Sequence, residues 1–135
     1  MIVSTIRRLF RAEGQEQAST PLKEEASFVL LYEDLDVGYL RLRDGAWEFR
    51  YSPAFKSQVA LQDGVKPLLE FPDPEKIYTS PDLWPFFLAR IPSIAQPLIR
   101  EEIEKQGLDV NNAAQLLRAF GERSIANPFR LQPAA

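Results

Sequence analysis

The sequence predicts an α+β domain: a small, mainly antiparallel β-sheet followed by about three short helices packed on one face or end. Three observations predict it. Trp47, Phe49 and Tyr51 alternate with Glu48 and Arg50, the period of a strand with one buried face. Asp44-Gly45 stands between two strand-like runs, and both residue types tolerate the positive φ of a tight hairpin turn. Beyond Ser80 the apolar spacing lengthens to that of helices. Strands first and helices last give a sheet with its helices gathered together, not a parallel sheet with helices between strands.

The chain has 135 residues, 45% of them hydrophobic, enough for one domain with a normal core. Its boundaries are expected at 1–25 for an amphipathic N-terminal segment and a flexible polar linker, 26–123 for the α+β domain and 124–135 for an extended tail. In the first segment Ile2, Ile6, Leu9 and Phe10 fall at helical spacing with Arg7, Arg8 and Arg11 opposite, while AEGQEQASTPLKEE is polar and linker-like.

The folded region opens with SFVLLYED, a short apolar run suited to a buried strand, and Leu35–Gly38 reads as the following turn. Val37, Tyr39, Leu40 and Leu42 lead into the Asp44-Gly45 hairpin, and the Trp47–Tyr51 strand ends at Pro53. SPAFKS reads as a turn or single helical turn, Val59–Leu61 as a return to the sheet, and Val65–Phe71 as a short edge strand. Ser80-Pro81-Asp82 predicts a helix start, with serine capping and proline at the first position; Leu83, Phe86, Phe87 and Arg90 follow on one face, and Pro92 stops it. A second helix from Gln96-Pro97 turns Leu98, Ile99 and Ile103 inward and stops at Gly107. The third, capped by Asp109, carries Ala113, Leu116, Leu117 and Phe120 inward and ends at Gly121. NPFRLQPAA has no period and reads as extended.

Composition narrows the function. A formal net charge of −3 repels a phosphate backbone, so direct nucleic-acid binding is not expected. With no cysteine and no histidine there is no disulfide, thiol nucleophile, Cys/His zinc site or histidine base. The six glycines are dispersed and form no phosphate-binding loop. Glu33, Asp34 and Asp36 fall in a turn, Glu101, Glu102 and Glu104 on a polar helix face, and Asp73 and Glu75 in a loop; all read as solvated charge, not catalytic or metal-binding acids. No cofactor or metal is expected. No apolar run reaches the length of a membrane span, and arginines interrupt the opening MIVSTIRRLFRAEG where a signal peptide has its apolar core. A cytoplasmic protein is the expectation.

Two side chains invite a binding role. Trp84 lies at the margin of the Leu83/Phe86/Phe87/Arg90 face, where a half-exposed tryptophan is a favoured interface anchor. Arg90 either covers the core with its aliphatic stem, the better reading, or pairs with an acidic partner.

The segments VGYLRLRDGAWEFRYS (Val37–Ser52) and YTSPDLWPFFLARIPS (Tyr78–Ser93) together resemble the N-terminal subdomain of HipA-type toxin kinases. The positions that carry the resemblance are Gly38, Leu40, Gly45, Phe49, Tyr51, Phe86, Phe87 and Pro92, within roughly 28–121. In that family a glycine-led strand and an F-x-Y strand form a small sheet closed by a Phe-Phe-x-x-x-x-Pro helix. The catalytic core lies beyond this subdomain, and some bacterial systems encode the subdomain separately, beside a shortened kinase and a DNA-binding antitoxin, as the antitoxin that restrains the kinase. The resemblance therefore implies a non-enzymatic regulator whose partner is a HipA-type kinase, with Trp84, Arg90, Ile91 and Ser93 as candidate partner-binding residues. This chain departs from the family in two places. The Leu-Leu-Pro-Glu-Gly expected after the Phe-Phe helix is Arg90-Ile91-Pro92-Ser93-Ile94, and the third helix continues as Gly121-Glu122-Arg123-Ser124-Ile125 instead of into an aspartate and a Gly-Ala pair. The alternatives are a general protein-interaction or self-associating module without a kinase partner, and a small Asp/Glu enzyme, which would need a deep pocket with two convergent acids.

Overall fold

The computed structural model of the protein describes residues 18–61 and 65–134. The amphipathic segment expected around Ile2–Phe10 and the first part of the linker lie outside the described residues. The order of elements is β1 (Ala26–Tyr32), β2 (Leu35–Arg43), β3 (Ala46–Tyr51), α1 (Pro53–Ala60), β4 (Tyr78–Ser80), α2 (Pro85–Leu88), α3 (Pro97–Gln106), α4 (Ala113–Phe120) and β5 (Arg130–Ala134). The strands form one antiparallel sheet in the order β4-β3-β2-β1-β5. The α+β class follows directly.

Alternation decides which side of the sheet is buried. Phe28 and Leu30 of β1, Leu40 and Leu42 of β2, Trp47, Phe49 and Tyr51 of β3 and Leu131 of β5 all enter the core. Phe55, Phe71, Phe87 and the Ala113/Ala114/Leu117 side of α4 meet them from the helical layer. The hairpin forms at Asp44 and Gly45, with φ of 53° and 74°, and joins β2 to β3 in register from Arg43 opposite Ala46 to Gly38 opposite Tyr51. At Gly38 a side chain has no room: an added Cβ would lie 2.6 Å from the Arg50 carbonyl oxygen and 2.7 Å from Cζ of Phe49.

Several expected elements are placed differently. Leu35–Gly38 belongs to β2; the turn is Glu33-Asp34, with Glu33 at φ 53°. A bulge lies where Leu30 opposes Gly38 and Leu31 opposes Asp36, leaving Val37 as the extra residue. Ser52 serves this bulge: its N–H donates to the Val37 carbonyl at 2.9 Å and its hydroxyl donates to the Asp36 carbonyl. The same hydroxyl accepts from Phe55 N–H as the cap of α1. That cap and Pro53 drive a full eight-residue helix, so Val59 and Ala60 are helical and do not return to the sheet.

Val65–Phe71 is irregular, not an edge strand. Pro67 and Pro72 remove ladder donors, and the Tyr51 hydroxyl takes over the local pairing, accepting from Leu68 N–H at 2.8 Å and donating to the Phe71 carbonyl at 2.6 Å. The helix expected from Pro81 starts at Pro85: Ser80 ends β4, its hydroxyl accepts from Asp82 N–H, and Trp84 is held extended (φ −66°, ψ 150°) by the proline after it. Asn112, not Asp109, caps α4 by accepting from Gln115 N–H, while the Asp109 carboxylate accepts from Asn111 N–H in the preceding turn. Gly107 ends α3 in the left-handed conformation (φ 66°), as its position indicates.

The flanks are also built in. Ser19 bridges to Asn112, and the Thr20 hydroxyl accepts from the Trp47 indole N–H at 2.9 Å while donating to the Pro81 carbonyl. The last segment contributes β5, paired to β1 from Leu31 opposite Arg130 to Ser27 opposite Ala134, with Leu131 fully buried.

Candidate functional site

Residues 65–83, which lead into α2, are organised by one ring. Phe71 is fully buried and is met by Phe49 at 4.5 Å between centroids, Tyr78 at 5.1 Å and Trp84 at 5.1 Å, the last two edge-on. Because residues 65–77 carry prolines at 67, 72 and 74 and form no strand, apolar residues beside the buried ring are left facing solvent. Leu69, two residues before Phe71, is 98% exposed, and Ile77, next to Tyr78, is 52% exposed. Trp84 is half-buried between this segment and α2, with Phe87 at 6.5 Å on its inner side. An indole anchored on one side and accessible on the other is a favoured contact residue, and Leu69 and Ile77 expose further apolar surface in the chain that leads to it.

The other proposed contact residues follow from α2. Ile91 and Ser93 are half-buried; Ser93 closes a turn by accepting from Ala95 N–H at 3.2 Å. Arg90 has a different position from one facing an acidic partner. It is 3% exposed, and its guanidinium donates to the carbonyls of Gly121, Glu122 and Phe129 and to Oδ1 of Asn127. No acid neutralises it in this bonding set; burial pushes its pKa down from the ordinary arginine value. Its role within the chain is to hold the end of α2 against the run that leads into β5. On α3, Leu98 turns outward, 78% exposed, instead of joining Ile103 in the interior.

The sequence singled out Trp84 and gave no direct sign that Leu69 and Ile77 would be exposed. The available signal was the density of prolines around them, which denies the backbone a ladder and leaves apolar side chains without a sheet face to join.

Elsewhere, a groove of about 240 Å³ lies at the β1–β2 turn end of the sheet, lined by Tyr32, Leu35, Phe55, Val65, Lys66 and Phe129. It brings no carboxylates together. Among the described residues no group of three or more acids is placed to hold a metal ion, and no helix is long and apolar enough to cross a membrane. Compared with known proteins, the chain matches no protein-family model and has no significant match among curated sequences.

Proposed function

We propose that the protein is a non-catalytic protein-binding regulator, an antitoxin-like partner that restrains a HipA-type serine/threonine kinase. The observation that carries this reading is the surface at Trp84: a half-buried indole seated on Phe71, with Leu69 and Ile77 exposed in the adjoining segment. Burying such a patch against a partner removes apolar area from water, and an anchored aromatic loses little side-chain entropy on docking.

A second observation supports the kinase class of partner. The scattered residues that resemble the HipA N-terminal subdomain come together in this fold. Phe49 packs on Tyr51 at 5.2 Å and on Phe87 at 5.7 Å, Gly38 leaves the space that the Phe49 ring edge occupies, and Gly45 supplies the hairpin turn. Positions that are unrelated in sequence therefore serve one sheet and its closing helix. Ile91 and Ser93 extend the proposed contact surface beyond α2, and Arg90 contributes by fixing that helix from the inside.

The test is co-purification of the tagged full-length protein, expressed from its own operon, followed by mass spectrometry and size measurement of the complex. Recovery of a HipA-type kinase in a complex that Trp84→Ala weakens is the expected result. Recovery of the protein alone, as a monomer or as a self-associated species, rejects the kinase partner; a kinase complex indifferent to Trp84→Ala rejects this contact surface.

A further inference from the structure

The face of the sheet turned away from the helices has a charge unlike that of the chain as a whole. Its cross-strand rows follow from the register: Ser27 opposite Arg41 and Arg41 opposite Glu48; Val29 opposite Tyr39 and Tyr39 opposite Arg50; Arg130 opposite Leu31 and Leu31 opposite Asp36. Arg43, at the end of β2, lies with Arg41, Glu48 and Thr79 around a shallow depression of about 140 Å³. Four arginines against two acids leave +2 on this face, in a protein of net charge −3.

Internal pairing does not consume these cations. Glu48 Oε2 is shared by Arg41 at 3.5 Å and Arg50 at 3.9 Å, so one carboxylate serves two guanidinium groups. Among the described residues neither Arg43 nor Arg130 has an ion-pair partner. Every cation on the face is arginine. The guanidinium is weakly hydrated, and its fork matches a carboxylate in a two-bond arrangement. Tyr39, exposed at the centre, and Val29 beside it add apolar surface between the charges.

We infer that this open face is a second docking surface, and that its occupant is an acidic segment of another protein. Charge complementarity selects that occupant. A second copy docked face to face would set arginine against arginine, a costly like-charge arrangement. The chain's own first residues do not match either, since Arg7, Arg8 and Arg11 outnumber Glu13 and Glu16. A nucleic-acid strand would meet the net negative field of the remaining surface, and the described face offers a single exposed aromatic ring for bases to stack upon. An acidic peptide with aliphatic residues between its carboxylates fits both the arginines and the Tyr39/Val29 strip. This surface is separate from the one at Trp84 and does not depend on the kinase reading.

The experiment uses the full-length protein and two fluorescein-labelled probes: a short oligoglutamate peptide with a central pair of leucines, and an oligothymidylate of equal length. The peptide is expected to bind, more weakly as salt rises, and to shift the amide resonances of Tyr39, Arg41, Glu48 and Arg50. The triple substitution Arg43→Gln/Arg50→Gln/Arg130→Gln is expected to weaken it by about tenfold or more, while Trp84→Ala leaves it unchanged. Should the triple variant fold poorly, each single substitution is expected to cost about threefold on the same scale. Absence of peptide binding, peptide binding that survives the substitutions, or tighter binding of oligothymidylate overturns the inference.

Discussion

The Arg90 guanidinium donates to the Phe129 main-chain carbonyl at 2.6 Å across thirty-nine residues of chain. With its bonds to Gly121, Glu122 and Asn127, this makes a buried cation the common partner of four otherwise separate acceptors. Arg90→Met removes the donors and leaves buried carbonyls unpaired, which is expected to destabilise the fold by about 3 kcal/mol. Arg90→Lys is expected to recover little, because one ammonium group cannot reproduce a planar fork aimed at several acceptors. Urea midpoints of the three proteins measure this, and a methionine variant as stable as the wild type would show that the bonds contribute nothing net.

Tyr51 gives a pH signature. Its hydroxyl is buried between Leu68 N–H and the Phe71 carbonyl, and burial pushes its pKa up to about 12. An unfolded tyrosine titrates near 10. The folded state thus holds this proton more tightly: the contribution to stability is complete below pH of about 10 and is lost as pH rises through about 12. The stability gap between wild type and Tyr51→Phe is therefore expected to narrow across that window. Phenolate absorbance supplies the check, since the last ionisation of the wild type should be missing from the variant.

Gly38 tests the sheet itself. Gly38→Ala would push a Cβ into the Arg50 carbonyl oxygen and the Phe49 ring, and a strand backbone cannot retreat as a flexible side chain can. A loss of about 2 kcal/mol is expected, in line with overpacking of a core. Gly107→Ala meets no neighbour and is expected to cost about 1 kcal/mol from its left-handed backbone alone. Thermal melts of both variants should preserve that ranking, and the reverse order would contradict the close approach at Gly38.

What could be read from the sequence was local. The Asp44-Gly45 hairpin and the Trp47/Phe49/Tyr51 face declare themselves within a few residues, because turn chemistry and strand period act over that range. Arg90 was partly legible: helical spacing put it on the same face as Leu83, Phe86 and Phe87, but its acceptors lie thirty-one to thirty-nine residues away and no local pattern announces them. Residues 65–71 misled, since their apolar content resembles a strand while Tyr51 supplies the hydrogen bonds a ladder would have supplied. For the proposed contact surface, local spacing drew attention to Trp84 and gave no sign of Leu69, which is exposed two residues before the buried Phe71.

The final segment shows how far long-range contacts decide structure here. Asn127 and Phe129 gain their positions from Arg90, and Leu131 gains its buried place opposite Leu30 on β1. Removing residues 124–135 therefore does more than trim an end: it exposes one side of β1, takes the Leu131 side chain out of the core and leaves Arg90 Nη2 without either of its acceptors. Loss of the Leu131 side chain alone is worth about 2–4 kcal/mol, comparable with much of a small domain's total stability. A protein ending at Arg123 is expected to lose its cooperative urea transition and its dispersed amide spectrum, whereas Leu131→Val is expected to keep both with a lowered midpoint. A cooperative transition in the shortened protein at the wild-type midpoint would mean that the sheet closes without β5.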